Sequence, residues 1–371
     1  MDEAEIAKHF ADSVYHCEHH NFDLNSVGKF ALSMVPREHG YKVVLTGEGA
    51  DEHFAGYPFF FPDHLRELDL SLPESPPAVN PQLIKGLQEG ADTDMKAIFE
   101  RTGALNRNWT ETDALRAVNR STMLSCIVAL HPELSLFAPW AREDWVGTDC
   151  RDTIVGSLPF PARQKIKEKW HPLHTAEYMW CKTMLANNLL SCLGDRTEMA
   201  HSIEARPPFL DHIVSEYING LPPSVKVAYT LAEKEQKDNR TGLWWQGQGA
   251  AFQAFTEKWI LRQAGRPFIT KELYERRKHP YAAPVRWPRG GPLNKMFEGL
   301  LTEEAVDNLG FVDYEVVKAA LETSFGDNPD SKSFRTLIFV ASWVVISQRF
   351  GVKRAGRHGQ ERRNWKTASY I

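Results

Sequence analysis

Apolar residues recur at helical spacing at both ends of this chain. Ile6, Phe10, Val14 and Cys17 form one stripe, and Val27, Phe30, Ala31 and Met34 form a second that Gly40 closes. The period then changes. Val43-Val44-Leu45 is apolar without alternation, which predicts a short strand buried on both faces, as in a parallel sheet. From about residue 82 to 200 the pattern is mainly helical, and His174–Leu193 is apolar nearly all round, which predicts a buried helix. Pro207-Pro208 stops the region that follows it. Stripes resume over Phe252–Gln263, Val316–Ser324 and Ser333–Phe350, with a Pro/Ser-rich connection at Ser71–Pro81. The expected fold is mainly α with few strands. The one convincing strand is short of partners: helices cover its edges, another chain supplies a neighbour, or the sequence is incomplete.

Composition narrows the function classes. Of 371 residues, 42% are hydrophobic and 25% charged, as in ordinary globular proteins. A net charge of −4 and a pI near 6.4 give no reason to expect nucleic acid or an anionic membrane as partner. The longest apolar run, Leu337–Ile346, falls short of the roughly 18–20 residues that span a bilayer and reads as a core helix. The charged start MDEAEIAKHF does not read as a signal peptide, and five scattered cysteines without a C-x-x-C pair read as reduced thiols of a cytoplasmic protein. Residues 1–351 are expected to form one domain, and the basic segment 352–371 a disordered tail.

The chemistry gathers where the strand ends. Gly47-Glu48-Gly49-Ala50-Asp51-Glu52 places three carboxylates at a strand's C-terminal end, the place where open α/β sheets bind ligands. Asp51 and Glu52 are hard oxygen donors suited to magnesium, but Asp51 as a cap of the next helix is the plainer reading. His171 and His174, like His19 and His20 beside Cys17, lack a third ligand and read as satisfied polar pairs, so no metal site is assigned. Trp244-Trp245, with Tyr57, Phe59 and Phe60, could wall a pocket, although core packing is the plainer role.

Three segments taken together resemble the synthetase domain of glutamine-dependent asparagine synthetases, which is similar to that of β-lactam synthetases. They are LTGEGADEHFAGY at 45–57, DRTEMAHSIEARPPFLDH at 195–212 with LPPSVK at 221–226, and EKWILRQAG at 257–265 with RRKHPYAAP at 276–284. The resemblance runs from about Ala4 to Arg349 and implies a helix-rich part of an α/β PP-loop ATPase module. That module activates a carboxylate as an acyl-adenylate for attack by an amine. No S-G-G-x-D-S loop occurs in these 371 residues, and residue 2 is Asp rather than the nucleophilic Cys of a glutaminase domain. The resemblance assigns proton transfer to Glu48 and charge stabilisation to Lys278. It places Gly47, Gly49, Asp51, Tyr57 and Lys258 around the substrate, with Asp195 and Arg206 in the helical wall. Thr46 for Ser, Ala55 for Gly and His53 for an apolar residue depart from the family pattern.

Glu48 opposite Lys278 would form an acid–base pair, each holding the other charged in a partly dry cleft, or else an inert ion pair. Three readings follow. The first is an enzyme without ATP or any other cofactor, doing acid–base or cyclisation chemistry on a small acyl, amide or amino metabolite of a specialised pathway. The second is an ATP- and magnesium-dependent amide ligase completed by a partner or by further sequence. The third is a non-catalytic partner of a full-length synthetase, which would tolerate Glu48→Gln. The partners expected are a small-molecule substrate and either a second copy or a synthetase chain.

Overall fold

The structure is a computed structural model that describes residues 1–72, 80–101, 112–229, 254–276, 278, 281 and 283–356. The helices that position the site are α1 (Glu3–Cys17), α2 (Asn25–Glu38), α3 (Ala50–His53), α4 (Phe61–Leu65), α5 (Pro81–Arg101), α6 (Thr122–Ala129), α7 (Pro172–Trp180), α8 (Thr197–Met199), α9 (His212–Asn219), α10 (Pro223–Lys226), α11 (Trp259–Gly265), α12 (Pro292–Leu300), α13 (Tyr314–Ser324) and α14 (Ser331–Phe350). The strands are β1 (Val43–Leu45), β2 (Glu204–Arg206), β3 (Ala228–Tyr229) and β4 (Phe255–Thr256). The fold is mainly helical with few strands, as the periodicity predicts.

Two apolar cores flank the motif turn. In the first, α1 buries Ile6, Phe10 and Val14 against α2, α12 and α14. Asp2 caps α1 through the Glu5 amide at 2.9 Å, and Asp330 caps α14 through the Ser333 amide at 2.8 Å. The apolar run 337–346 is thus the middle of a buried core helix. Among the described residues no helix is long and apolar enough to cross a membrane. The second core gathers Phe60, Phe61, Met123, Leu124, Leu173 and Met179 where α4, α6 and α7 meet.

Four expectations change. The strand is not buried: Val43 and Leu45 are 39% and 75% exposed. β1 has one neighbour, β2, which runs parallel to it with Val44 opposite Ala205, and no third strand joins them among the described residues. The helix read over His174–Leu193 forms, but beyond Trp180 it unwinds into π-helical turns at Cys181–Leu189 and Ser191–Arg196. The stripe at Phe252–Gln263 is split, since Phe255–Thr256 pairs with β3 and α11 begins only at Trp259. The break lies at Lys258, whose φ of 54° is left-handed and cannot continue a helix. None of the five cysteines is in a disulfide.

Buried histidines give the fold an acid limit. Burial pushes His20 and His64 down to about 3 and His174 to about 4. The unfolded chain binds these protons near pH 6.5 and the folded chain does not, so stability present above pH 6.5 is lost as pH falls toward 3. Burial raises Asp63 to about 6 and Glu177 to about 7, which acts in the opposite direction until their unfolded forms protonate near pH 4. The stability profile is therefore expected to be shallow between pH 6.5 and 4.5 and to fall steeply below pH 4. His64→Met should remove about 1.4 kcal/mol per pH unit of that fall, read from urea midpoints between pH 6.5 and 3.5. An unchanged profile would show that His64 is not one of the groups responsible.

Candidate active site

The turn after β1 is built for a glycine. Gly49 has φ +94°, and a Cβ there would overlap the Leu210 side chain. Its amide donates to Glu52 Oε2 at 2.9 Å, so Glu52, not Asp51, closes the first turn of α3. The other Glu52 oxygen accepts from Tyr57 Oη at 2.8 Å. Burial drives the Glu52 carboxyl up, and the nearby Asp51 charge adds to that.

Asp51 is thereby released toward two lysines. Lys258 Nζ lies 2.7 Å from its Oδ1 and Lys278 Nζ 2.8 Å from its Oδ2. Gly56 makes the close approach possible, since a Cβ there would overlap both Asp51 Oδ1 and Lys258 Cε. Each lysine is anchored through its backbone. The Lys258 amide donates to the Phe54 carbonyl at 3.2 Å, and the Lys278 amide to Glu257 Oε1 at 3.2 Å. Arg262 pairs with Glu257 and donates to the carbonyls of Tyr274 and Arg276 at 3.0 and 2.8 Å, tying the two lysine segments together. The Lys278 ammonium also sits 5.2 Å from the centre of the Tyr57 ring.

Glu48 has a different partner from the one expected. Its Oε1 lies 3.4 Å from Lys29 Nζ of α2, and the same ammonium lies 2.7 Å from Glu198 Oε1 of α8. Burial acts to raise the Glu48 carboxyl, but the Thr46 hydroxyl and Lys29 outweigh it and hold it below the usual range. The pairing is thus Glu48–Lys29–Glu198 beside Lys258–Asp51–Lys278, not Glu48–Lys278. With every group ionised the first cluster is net negative and the second net positive, and Glu48 and Asp51 are three residues apart on one turn.

The departures from the family pattern now have local explanations. Thr46 keeps a hydroxyl donor for Glu48. His53 is buried and its Nε2 lies 3.1 Å from Ser215 Oγ of α9. Ala55 takes a left-handed φ of 51° that a glycine would adopt at less cost. Beneath Ala55 lies the Glu177–Lys226 ion pair at 2.7 Å, with Lys226 fully buried and Glu177 4% exposed. The Ala55 amide helps hold Glu177 charged.

Other expectations meet a plainer outcome. Gly47 is exposed and its carbonyl accepts from the Ala50 amide at 3.2 Å. Arg206 is exposed on β2 and pairs with Glu204, and Asp195 is exposed. Tyr57, Phe59 and Phe60 pack on one another, and Tyr57 and Phe59 on Trp180, while Trp244-Trp245 lies outside the described residues. Magnesium does not fit the pair Asp51 and Glu52. Both Asp51 oxygens face ammonium groups and both Glu52 oxygens accept protein hydrogen bonds. Sequence reading missed Lys29, Glu198, Glu257, Arg262 and the Glu177–Lys226 pair. Their only signal was charge within otherwise apolar or motif segments.

The glycine turn, both lysines of the clamp and Glu198 all fall within the segments that resemble the synthetase domain. The Asparagine synthase family profile matches residues 1–344, and the chain belongs to that family. A Penicillium rubens protein named Amidase chyE is 36% identical over 96% of this chain and 49% of its own length. Amidase chry2 of Gibberella zeae is 34% identical over 96% of this chain and 49% of its own length. A putative glutamine-hydrolysing asparagine synthetase of Mycobacterium tuberculosis is 26% identical over 85% of this chain and 41% of its own length. The chain thus spans about half the length of the curated relatives it matches.

Proposed function

We propose that this chain carries the acyl-chemistry site of an enzyme that makes or breaks an amide bond on a small acyl, amide or amino metabolite in a specialised biosynthetic route. The observation that carries this reading is Asp51 held between Lys258 and Lys278, three residues from an ionised Glu48. Attack on a carboxyl-derived carbon places negative charge on the acyl oxygen, and partly buried ammonium groups compensate it. Glu48 accepts the proton of the attacking water or amine, and returns it to the leaving nitrogen when an amide bond is broken. The names of the fungal relatives support amide chemistry, and those of the bacterial relatives support its ligase direction. Breaking an amide with water, or passing its acyl group to another amine, has the amide nitrogen as leaving group and needs no nucleotide.

A second reading is favoured by the surplus positive charge of the lysine clamp, which suits an anionic phosphate leaving group. Here Mg-ATP is a co-substrate, and a partner chain or further sequence supplies its phosphate site. One assay separates the two. The purified chain is incubated with small primary amides alone, and with carboxylic acids, ammonia and Mg-ATP. Ammonia release without nucleotide is the expected result. AMP formed only with acid and amine replaces the first reading by the second. Neither product from a folded chain overturns the first reading, and the second falls as well when the same incubation with a full-length synthetase of the family added yields no additional AMP.

A further inference from the structure

Lys29 lies on α2, 19 residues before the motif turn, and Glu198 lies on α8, 150 residues after it. Packing of α2 against α8 brings them together, with the side chain of Glu198 only 5% exposed and that of Lys29 18%. The shorter contact of Lys29 is with Glu198, at 2.7 Å, and the longer with Glu48, at 3.4 Å. One ammonium thus serves two carboxylates. A buried oxygen of each, Glu48 Oε2 and Glu198 Oε2, has no hydrogen-bond partner. Such an arrangement is costly in stability, and a buried oxygen left without a partner points to a role other than holding the fold.

We propose that Lys29 and Glu198 are positioning residues for Glu48: Lys29 fixes one Glu48 oxygen, Glu198 holds most of the Lys29 charge away from it, and Glu48 Oε2 is left free to take a proton. The inference rests on the reading of Glu48 as the base. If Lys29 paired with Glu48 alone, the carboxylate would be a weaker base; without Lys29, burial beside Glu198 would favour the protonated form. The other groups facing this cluster are the Thr46 hydroxyl, which helps keep Glu48 ionised, Tyr57, which feels the Glu48 charge, and Tyr281, which feels that of Lys29.

The test needs no substrate. The full chain carries 13C-labelled glutamate, the Glu48 carboxyl is assigned by its loss in Glu48→Gln, and its titration is followed by NMR. Lys29→Met should move the Glu48 midpoint up by about one unit or more, a tenfold change in acid strength. Glu198→Gln, close to isosteric, should move it down, because Lys29 then turns wholly to Glu48. Opposite shifts support the proposal. No movement in either variant, or movement in the same direction, overturns it. Where Lys29→Met does not fold, Glu198→Gln decides alone: a downward shift supports and an unchanged midpoint overturns. Because the titration is independent of turnover, it can succeed while the amide assay fails. Where turnover is found, the acid limb of kcat/KM should move with the NMR midpoint.

Discussion

Lys226→Met is expected to cost about 3–5 kcal/mol of stability, because it strands a buried carboxylate. Lys226 has no exposed surface, and its ammonium is the charge nearest to Glu177, 2.7 Å away. Burial already raises the Glu177 carboxyl to about 7, against the pull of Lys226 and the Ala55 amide. Without the lysine the carboxyl rises further and folds best protonated. A raised folded value adds stability that is full below the unfolded value near 4.5 and is lost as pH climbs through the folded one. The loss in Lys226→Met should therefore be larger at pH 8 than at pH 6. Glu177→Gln combined with Lys226→Met should recover most of it, since removing both charges leaves nothing stranded. Urea midpoints of the single and double variants at the two pH values decide the matter. Equal losses in both variants would show that the helix contacts matter and the charge pairing does not. The pair lies under Ala55, so the variant should also loosen Gly56 and the Asp51 clamp above it.

How far such features can be read from a sequence depends on the range of the forces involved. The helices α1, α13 and α14 are legible because their apolar stripes follow one face over three or more turns. The motif turn is legible because Gly49 and Gly56 stand where no Cβ fits. The partner of β1 was not legible. Glu204-Ala205-Arg206 is short and flanked by charge, and only its ladder with Val43–Leu45 makes it a strand. The exposure of β1 was misread for the same reason: an apolar run says what could be buried, not whether a neighbour is there to bury it. Lys278 was legible as a site residue, but its partner was not. The choice between Glu48 and Asp51 is made by Glu52, which takes the capping role and frees Asp51. Lys29 and Glu198 are 169 positions apart, and no local pattern couples them.

Lys278→Ala should lower turnover by about 10²–10³-fold, the usual cost of losing one preorganised donor at a developing oxyanion. The fold should hardly notice. Asp51 keeps the Lys258 ammonium at 2.7 Å, so removing Lys278 strands no buried charge and should cost only about 1 kcal/mol. That contrast separates a chemical role from a structural one: kcat/KM collapses while the urea midpoint stays. Lys278→Arg should restore little. A guanidinium presents a planar fork where a compact ammonium now fits between Asp51 and the Tyr57 ring. Lys258→Ala should lose a comparable factor, and the double variant far less than the product of the two. Both lysines hold the same carboxylate, and once one is gone Asp51 is free to neutralise the other. Full multiplicativity in kcat/KM would mean that the two ammonium groups act at separate points of the substrate. Lys278→Ala with turnover within twofold of the parent would remove the clamp from the chemistry and leave Asp51, Lys258 and Lys278 as a strut for the loop.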